Sequence, residues 1–361
     1  MTRVAIYTIA KNEEANASQF MDSCHDADLV VVGDTGSTDQ TREIIQDRGG
    51  KIIRLNVEPF RFDVPRNSVL SVLPPNIDLC IALDLDEVLM PGWREQIETY
   101  WNETHDRLRF RYVHSFNPDG SYACVGVKDF GHSRHNYMWR HIVHESLYYL
   151  GPKERESVAT LPDMVVEHRR DPSRETETPY LEMLKQECES PTGTPRHIFW
   201  LARDFLRAQN WEAAMEWFEK FLAEKGIWHI EKAHALRWLA KAQAHSGRHA
   251  EALATHYKSI EASPREREVW LDLGWYHQGR EQWAQAYGAV VQGLSITGRP
   301  EHYLATDEAW GYKIHDLAAL CAYKLGIVQQ AQTHIKIAMR LAPGEDHLVR
   351  TAKHMGVKVD E

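Results

Sequence analysis

Leu79-Cys80-Ile81-Ala82-Leu83-Asp84-Leu85-Asp86-Glu87 sets an unbroken apolar run directly against two carboxylates. Five apolar residues without alternation predict a strand buried on both faces, as in a parallel sheet covered by helices. Asp84 and Asp86 then follow at i and i+2, just beyond the strand end. Oxygen ligands so spaced suit a hard divalent cation, Mg2+ or Mn2+, that can also hold a diphosphate. An acidic pair alone is common on solvated loops, so its flanks carry the weight.

Upstream, strand and helix signals alternate. Val4 to Ile9 predicts a buried strand, and Lys11-Asn12-Glu13-Glu14 a polar turn opening a helix through about Cys24. Leu29 to Val32 predicts a second strand, ending at Gly33-Asp34-Thr35-Gly36. Ser37 or Thr38 is expected to cap a helix running through Arg48, with Asp39 near its positive end. Gly49-Gly50 stops that helix, Lys51 to Leu55 predicts the third strand, and a helix near Arg66 to Leu73 precedes the fourth. The pattern is that of an α/β, Rossmann-like domain with a mostly parallel sheet. Ligands of such sheets bind beyond the carboxyl ends of the strands, where the polar residues after strands one, two and four all fall.

Downstream, Leu108 to Val113 alternates with period two, as a half-exposed strand does. The net charge of −10 argues against general adhesion to nucleic acid or anionic membrane. Between Arg107 and Arg174, however, eleven Lys/Arg face eight Asp/Glu, a local +3 that leaves −13 elsewhere, and six histidines fall in the same window. Arg109, Arg111, Arg134, Arg140, Arg169 and Arg170 could track phosphates while Tyr137 or Trp139 stacks on a base; they could equally be solvated strand faces. The polar stretch from Asp171 to Thr178, with Pro172 and Pro179, places a domain boundary there, giving domains 1–172 and 173–361.

The second domain is helical and repetitive. Trp211-Glu212-Ala213-Ala214, His249-Ala250-Glu251-Ala252, Trp283-Ala284-Gln285-Ala286 and Val328-Gln329-Gln330-Ala331 recur at intervals of 38, 34 and 45 residues. Each follows a first helix carrying small and aromatic residues, such as Trp238-Leu239-Ala240 or Leu273-Gly274-Trp275-Tyr276. The spacing resembles tetratricopeptide repeats, at about 34 residues per helix pair. Trp211, Trp238, Trp270 and Trp283 fall at repeat positions and are expected in the packing rather than as sugar platforms.

The five cysteines are scattered, with neither a CxxC pair nor a secretory framework, and are expected to be free. Met1-Thr2-Arg3 runs straight into a short apolar segment unlike a signal peptide, and no run approaches the ~18 apolar residues that cross a bilayer. A cytoplasmic protein without stable membrane insertion is the expectation.

Lys11-Asn12-Glu13, Asp34-Thr35-Gly36-Ser37-Thr38-Asp39, Arg66-Asn67 and the Asp84/Asp86 pair, in that order, resemble the motifs of family 2 glycosyltransferases of the GT-A fold. The match runs over most of the first ~170 residues, and relatives of this class carry tetratricopeptide repeats after a similar junction. The resemblance implies a nucleotide-sugar donor, UDP by default, with Thr8, Ala10 and Glu13 lining the nucleotide pocket and Asp34 bonding base or ribose. Arg66 would lie near the diphosphate or sugar, Asp84 would bind ribose or sugar hydroxyls, and Asp86 would ligate Mn2+ or Mg2+. Trp139-Arg140-His141-Ile142-Val143-His144-Glu145 resembles the family's acceptor-side motif, making Glu145 the expected general base of an inverting transfer, with Asp129 in reserve. Val166-Glu167-His168 matches the place of a histidine that reaches the metal–diphosphate, so His168, with His144 second, is the further metal ligand.

The implied enzyme is a hexosyl- or pentosyltransferase acting on a hydroxyl or thiol. The acceptor stays open between a peptide or protein, a glycan and a hydroxymethylated base in phage-type DNA. Two other classes compete. A non-catalytic repeat scaffold with a relic glycosyltransferase domain is opposed by the intact Asp84, Asp86 and Arg66. A phosphotransferase is opposed by the lack of a glycine-rich phosphate loop.

Overall fold

The computed structural model describes residues 1–116, 120–152, 154–169, 180–300 and 302–358. It divides into two compact units, Met1–Thr192 and Gly193–Glu361. The boundary expected at 172/173 lies outside the described residues, as do Arg170 and 171–179.

The first unit runs β1 (Val4–Ala10), α1 (Glu14–Ser23), β2 (Leu29–Asp34), α2 (Thr41–Asp47), β3 (Lys51–Arg54), α3 (Asp63–Val72), β4 (Leu79–Ala82) and β5 (Glu87–Leu89). It continues with α4 (Trp93–Tyr100), β6 (Arg107–Phe116), β7 (Tyr122–Ser133), β8 (Tyr137–Arg140), β9 (Ser146–Tyr149), β10 (Val158–His168) and α5 (Tyr180–Glu189). Eight strands form one sheet in the order β3-β2-β1-β4-β7-β6-β10-β5, and β8 pairs with β9 separately. The β3-β2-β1-β4 block is parallel throughout, as the apolar runs require, and β6 pairs in parallel with β10. Antiparallel β7 joins the two blocks.

Both faces of the sheet are covered. On one, Ile6, Val32, Ile81 and Leu108 pack with Phe20 of α1 and Trp93 and Ile97 of α4. On the other, Tyr7, Val31 and Cys80 pack with Val69 and Leu70 of α3 and with Trp139 of β8. Chain connections diverge at β1, with β2 on one side and β4 on the other, which places the crevice for ligands at the carboxyl ends of these strands.

One local expectation is corrected. Neither Ser37 nor Thr38 caps a helix: α2 starts only at Thr41, after Gln40. The intervening residues instead lace the Lys11-Asn12-Glu13 turn to the second strand. The Asn12 amide donates to Ser37 Oγ (3.0 Å), Glu13 to Thr41 Oγ1 (2.6 Å) and Glu14 to Asp39 Oδ2 (3.1 Å). In return the Thr38 amide donates to Asn12 Oδ1 (2.8 Å) and that of Gln40 to Glu14 Oε2 (3.0 Å). Short polar side chains satisfy the backbone of a neighbouring loop here rather than that of their own helix.

The second unit is a chain of helix pairs: α6 (Pro195–Arg207) with α7 (Trp211–Ala223), α8 (His229–His245) with α9 (His249–Ala262), and α10 (Arg267–Gln278) with α11 (Trp283–Leu294). After α12 (Asp307–Trp310) come α13 (Tyr312–Lys324), paired with α14 (Val328–Leu341), and α15 (Asp346–His354). The four recurring motifs open α7, α9, α11 and α14, and the alanine closing each of them, Ala214, Ala252, Ala286 and Ala331, is 0% exposed. A small residue is needed there because the paired helices approach closely. At Gly274 in α10 an added Cβ would lie 2.7 Å from Val290 Cγ2 of α11. The four repeat tryptophans are half-buried in this packing.

Candidate active site

The site grows from the turn after β4. Asp84 N donates to Glu87 Oε2 (3.1 Å) and Glu87 N to Asp84 O (3.0 Å), folding the chain back into β5. Antiparallel pairing with β10 sets Glu87 opposite His168, and the Arg169 amide bonds Asp86 O at 2.7 Å. The same pairing brings His168 Nε2 to 3.1 Å from Asp86 Oδ2. That hydrogen bond, ahead of the opposing desolvation, raises the His168 pKa.

Beneath the turn lies a buried carboxylate the sequence did not single out. Glu87 accepts from Tyr112 OH (2.8 Å) and from the Lys128 ammonium, so its own charge is compensated. Desolvation pushes its pKa up and Lys128 works against this.

Arg66 in α3 is the second centre. Its Nε donates to Glu145 Oε1 and its Nη2 to Asp84 Oδ1, both at 2.6 Å, while the guanidinium sits 4.9 Å from the Trp139 ring centroid. The residue is buried, and its Nη1 has no hydrogen-bond partner. Desolvation works to raise the Asp84 pKa, but Arg66 and Lys128 outweigh it and hold the carboxyl at about 2. Glu145 responds oppositely: burial raises it further than Arg66 lowers it.

Glu145 follows a loop in which His141 and His144 both adopt positive φ, 86° and 52°. Such conformations are costly for non-glycine residues and persist where surroundings impose them. Here the clamp is Glu187 of α5, accepting from His141 Nδ1 (2.8 Å) and from the Ile142 amide (2.6 Å). Asn67 holds the strand before the loop, exchanging two 2.8 Å hydrogen bonds with the Trp139 backbone. Neither role has a local sequence signal, since each partner is far away in the chain.

Ala10 pairs in register with Asp34 at the carboxyl edge. Asp34 is buried and accepts the Ser37 amide at 3.1 Å, with Arg42 Nη1 3.8 Å away. Thr8 is fully buried, its hydroxyl bonded to Ile9 O at 3.2 Å. Glu13 accepts from Asn16 Nδ2 at 2.8 Å. The His144 ring faces Tyr180, so of the two candidate histidines it is His168 that meets Asp86. Asp129 lies 3.9 Å from Arg109 in a separate open cavity of about 700 Å³, also lined by Tyr148, Tyr149 and Arg155. Tyr137 and Trp139 are buried, so neither is available to stack on a nucleobase, and that expectation is withdrawn. Arg134 donates to Leu73 O (2.7 Å), a structural use of one arginine of the basic window.

Comparison with known proteins agrees with one part of this picture. The chain is 32% identical over 111 residues to an uncharacterized glycosyltransferase of Rickettsia typhi, covering 30% of this chain and 36% of that protein. A second, from Rickettsia felis, is 32% identical over 111 residues, covering 30% and 38%. Part of this chain is glycosyltransferase-like. It spans little more than a third of the length of those curated relatives, and no family model matches it. Among solved structures, a thermophilic TPR protein of Thermus thermophilus is 18% identical over 49% of this chain and 89% of its own, with a TM-score of 0.36.

The pair Asp86 and His168 fits a divalent cation as a partial ligand set. One carboxylate oxygen and one imidazole nitrogen converge, and both side chains are about a quarter exposed, at 26% and 28%. Among the described residues no third His, Cys, Asp or Glu joins them in a closed cluster. A cation held by these two residues would keep positions for water and for diphosphate oxygens, the usual state of Mg2+ at phosphate sites. No helix among the described residues is long and apolar enough to cross a membrane.

Proposed function

We propose that the first unit is an inverting, metal-dependent glycosyltransferase of GT-A type, using a nucleotide-diphosphate sugar, by default a UDP-sugar. The observation that carries this is the buried Arg66, which ties Asp84 of the strand-end acidic pair to Glu145 of the acceptor-side motif with two 2.6 Å bonds. Three residues distant in sequence thus meet at the carboxyl edge of the strands, which supports a shared role in donor binding and proton removal.

In this reading Ala10, Glu13 and Asp34 form the nucleotide side of the crevice and Thr8 supports it from within the sheet. Asp84, ionised through the physiological range, accepts hydrogen bonds from ribose or sugar hydroxyls. Arg66 steers the diphosphate end, with Nη1 left to meet an anionic or hydroxyl oxygen. Asp86 and His168 hold Mn2+ or Mg2+, whose contribution is to neutralise the charge that grows on the leaving diphosphate. Glu145 takes the proton from the acceptor hydroxyl or thiol as that atom bonds the anomeric carbon and the bond to the diphosphate breaks. A carboxylate raised by burial is a better base near neutrality than an exposed one.

Peptide, protein and glycan acceptors all fit this chemistry. The test is release of nucleoside diphosphate from UDP-sugars with Mn2+ in the presence of acceptor pools. Glu145→Gln is expected to retain donor binding and to lower turnover by about 10²–10⁴-fold, the usual worth of a positioned base. Unchanged turnover in that variant rules out Glu145 as the base.

A further inference from the structure

The third interval between repeat motifs is 45 residues rather than about 34, and the extra length lies between α11 and α12, within residues 295–306. Part of this segment folds onto α8 and α10. Tyr303 OH bonds Glu231 Oε1 and the Thr306 amide bonds Glu268 Oε1, each at 2.7 Å, and the His302 ring lies 5.6 Å from that of Trp228.

Three residues converge where the segment lands, His234, Glu266 and Glu268, and His302 Nε2 adjoins Glu266 Oε2 at their rim. The facing atoms His234 Nε2, Glu266 Oε2, Glu268 Oε2 and His302 Nε2 are all buried, and Glu268 Oε2 has no hydrogen-bond partner. His234, Glu266 and Glu268 are 0%, 3% and 1% exposed, and one ligand atom from each lies within 4.8 Å of the others. Glu266 Oε2 is 3.5 Å from His234 Nε2 and 3.0 Å from His302 Nε2. These two separations bracket the edge of a tetrahedron of about 3.3 Å that bonds of ~2.0 Å generate around zinc, and His302, outside the closed group of three, would move inward on loading.

Two buried carboxylates within 4.8 Å of each other are costly unless positive charge meets them. Of the arginines around them, Arg237 is already committed to Asp272 at 2.7 Å and to His234 Nδ1 at 3.2 Å, and Arg267 donates to Ile296 O at 2.8 Å. A water molecule would satisfy lone pairs but not the charge. We infer that His234, Glu266, Glu268 and His302 form a structural site for a divalent cation of zinc-like softness, which pins the 302–306 segment to α8 and α10. Two imidazoles with two carboxylates are a donor set for such an ion. Loading requires each ring to carry its proton on Nδ1. Arg237 must therefore release His234, and the Leu304 amide, 3.3 Å from His302 Nδ1, must release that ring. Both bonds are long, and losing them is the local cost of loading.

The site is independent of the catalytic proposal and is tested apart from it. Full-length, chelator-stripped protein carrying Asp86→Ala, which removes the candidate donor-site ligand, is titrated with Zn2+, and bound metal is counted after gel filtration. The expected result is one zinc per chain, slower amide exchange at 302–306 on loading, and affinity weakened at least tenfold by His302→Ala or Glu266→Gln. His302→Ala changes only the inserted segment, so loss of binding there is not loss of the fold. No stoichiometric zinc, or zinc binding indifferent to both substitutions, overturns the site and leaves the cluster as a pocket for water and a proton.

Discussion

The two units bury polarity for different ends. In the first, buried charges are gathered at one strand edge and paired across long sequence distances: Arg66 with Glu145 and Asp84, Lys128 with Glu87. In the second, the repeat itself is carried by small apolar residues, Ala214, Ala252, Ala286 and Ala331, at the same place in successive pairs. Buried charge away from a functional need is a net burden on stability, since apolar packing does the same structural work without desolvation. On the proposed function, the first unit's edge is where stability is given up for chemistry, whereas the second unit's buried pair, Arg237 with Asp272, joins two helices of the array. The contrast also explains why the buried cluster at the inserted segment stands out in the second.

Removing the organising charge should do the most damage. Arg66→Ala leaves Glu145 and Asp84 facing each other without compensation, and is expected to cost the first unit about 3–5 kcal/mol, as breaking a buried pair does. Hydrogen exchange should show the loss across β1 and β4 and leave the helical unit unchanged; equal loss in both units would erase the contrast.

Overpacking probes the other side. Gly274→Leu drives a side chain toward Val290 Cγ2, which a Cβ alone already meets at 2.7 Å, and is expected to cost about 1–3 kcal/mol within the helical unit. Denaturant unfolding followed by the tryptophans of that unit measures it.

Acid probes the comparison through one buried histidine in each unit. Burial lowers the pKa of His132 in β7 to about 3 and that of His256 in α9 to about 4. Because the unfolded chain binds the proton at about 6.5, stability is complete above that pH and falls as pH drops. Each histidine contributes a slope of roughly 1.4 kcal/mol per pH unit, and the fall ends near 4 for His256 and near 3 for His132. His132→Phe and His256→Leu, compared between pH 7 and 5, should each flatten the slope of their own unit.

Much of this was legible in the sequence, and the pattern of what was not is instructive. Helix starts at Trp211, His249, Trp283 and Val328 were readable because a repeat advertises its own period. The parallel strands were readable because strands buried on both faces are apolar without alternation. Residues joined across the fold were not. Asn67 bonding Trp139, Glu187 clamping the loop before Glu145, and Glu87 beneath the acidic turn have partners 72, 45 and 25–41 residues away. Ser37 and Thr38 misled for the same reason: a capping residue and a loop-lacing residue are the same amino acids, and only tertiary context separates them. The aromatic residues of the basic window look like a stacking platform until the β8–β9 pair is seen to bury Tyr137 and Trp139.

The most direct test of the central claim is calorimetric titration of UDP-sugars, with and without Mn2+, into the wild type and Asp86→Ala. A metal-dependent heat with at least one donor in the wild type, absent or weakened by tenfold or more in Asp86→Ala, is the predicted result. Binding that ignores both the metal and Asp86, or no binding by any nucleotide sugar, contradicts the assignment of this edge as a donor site.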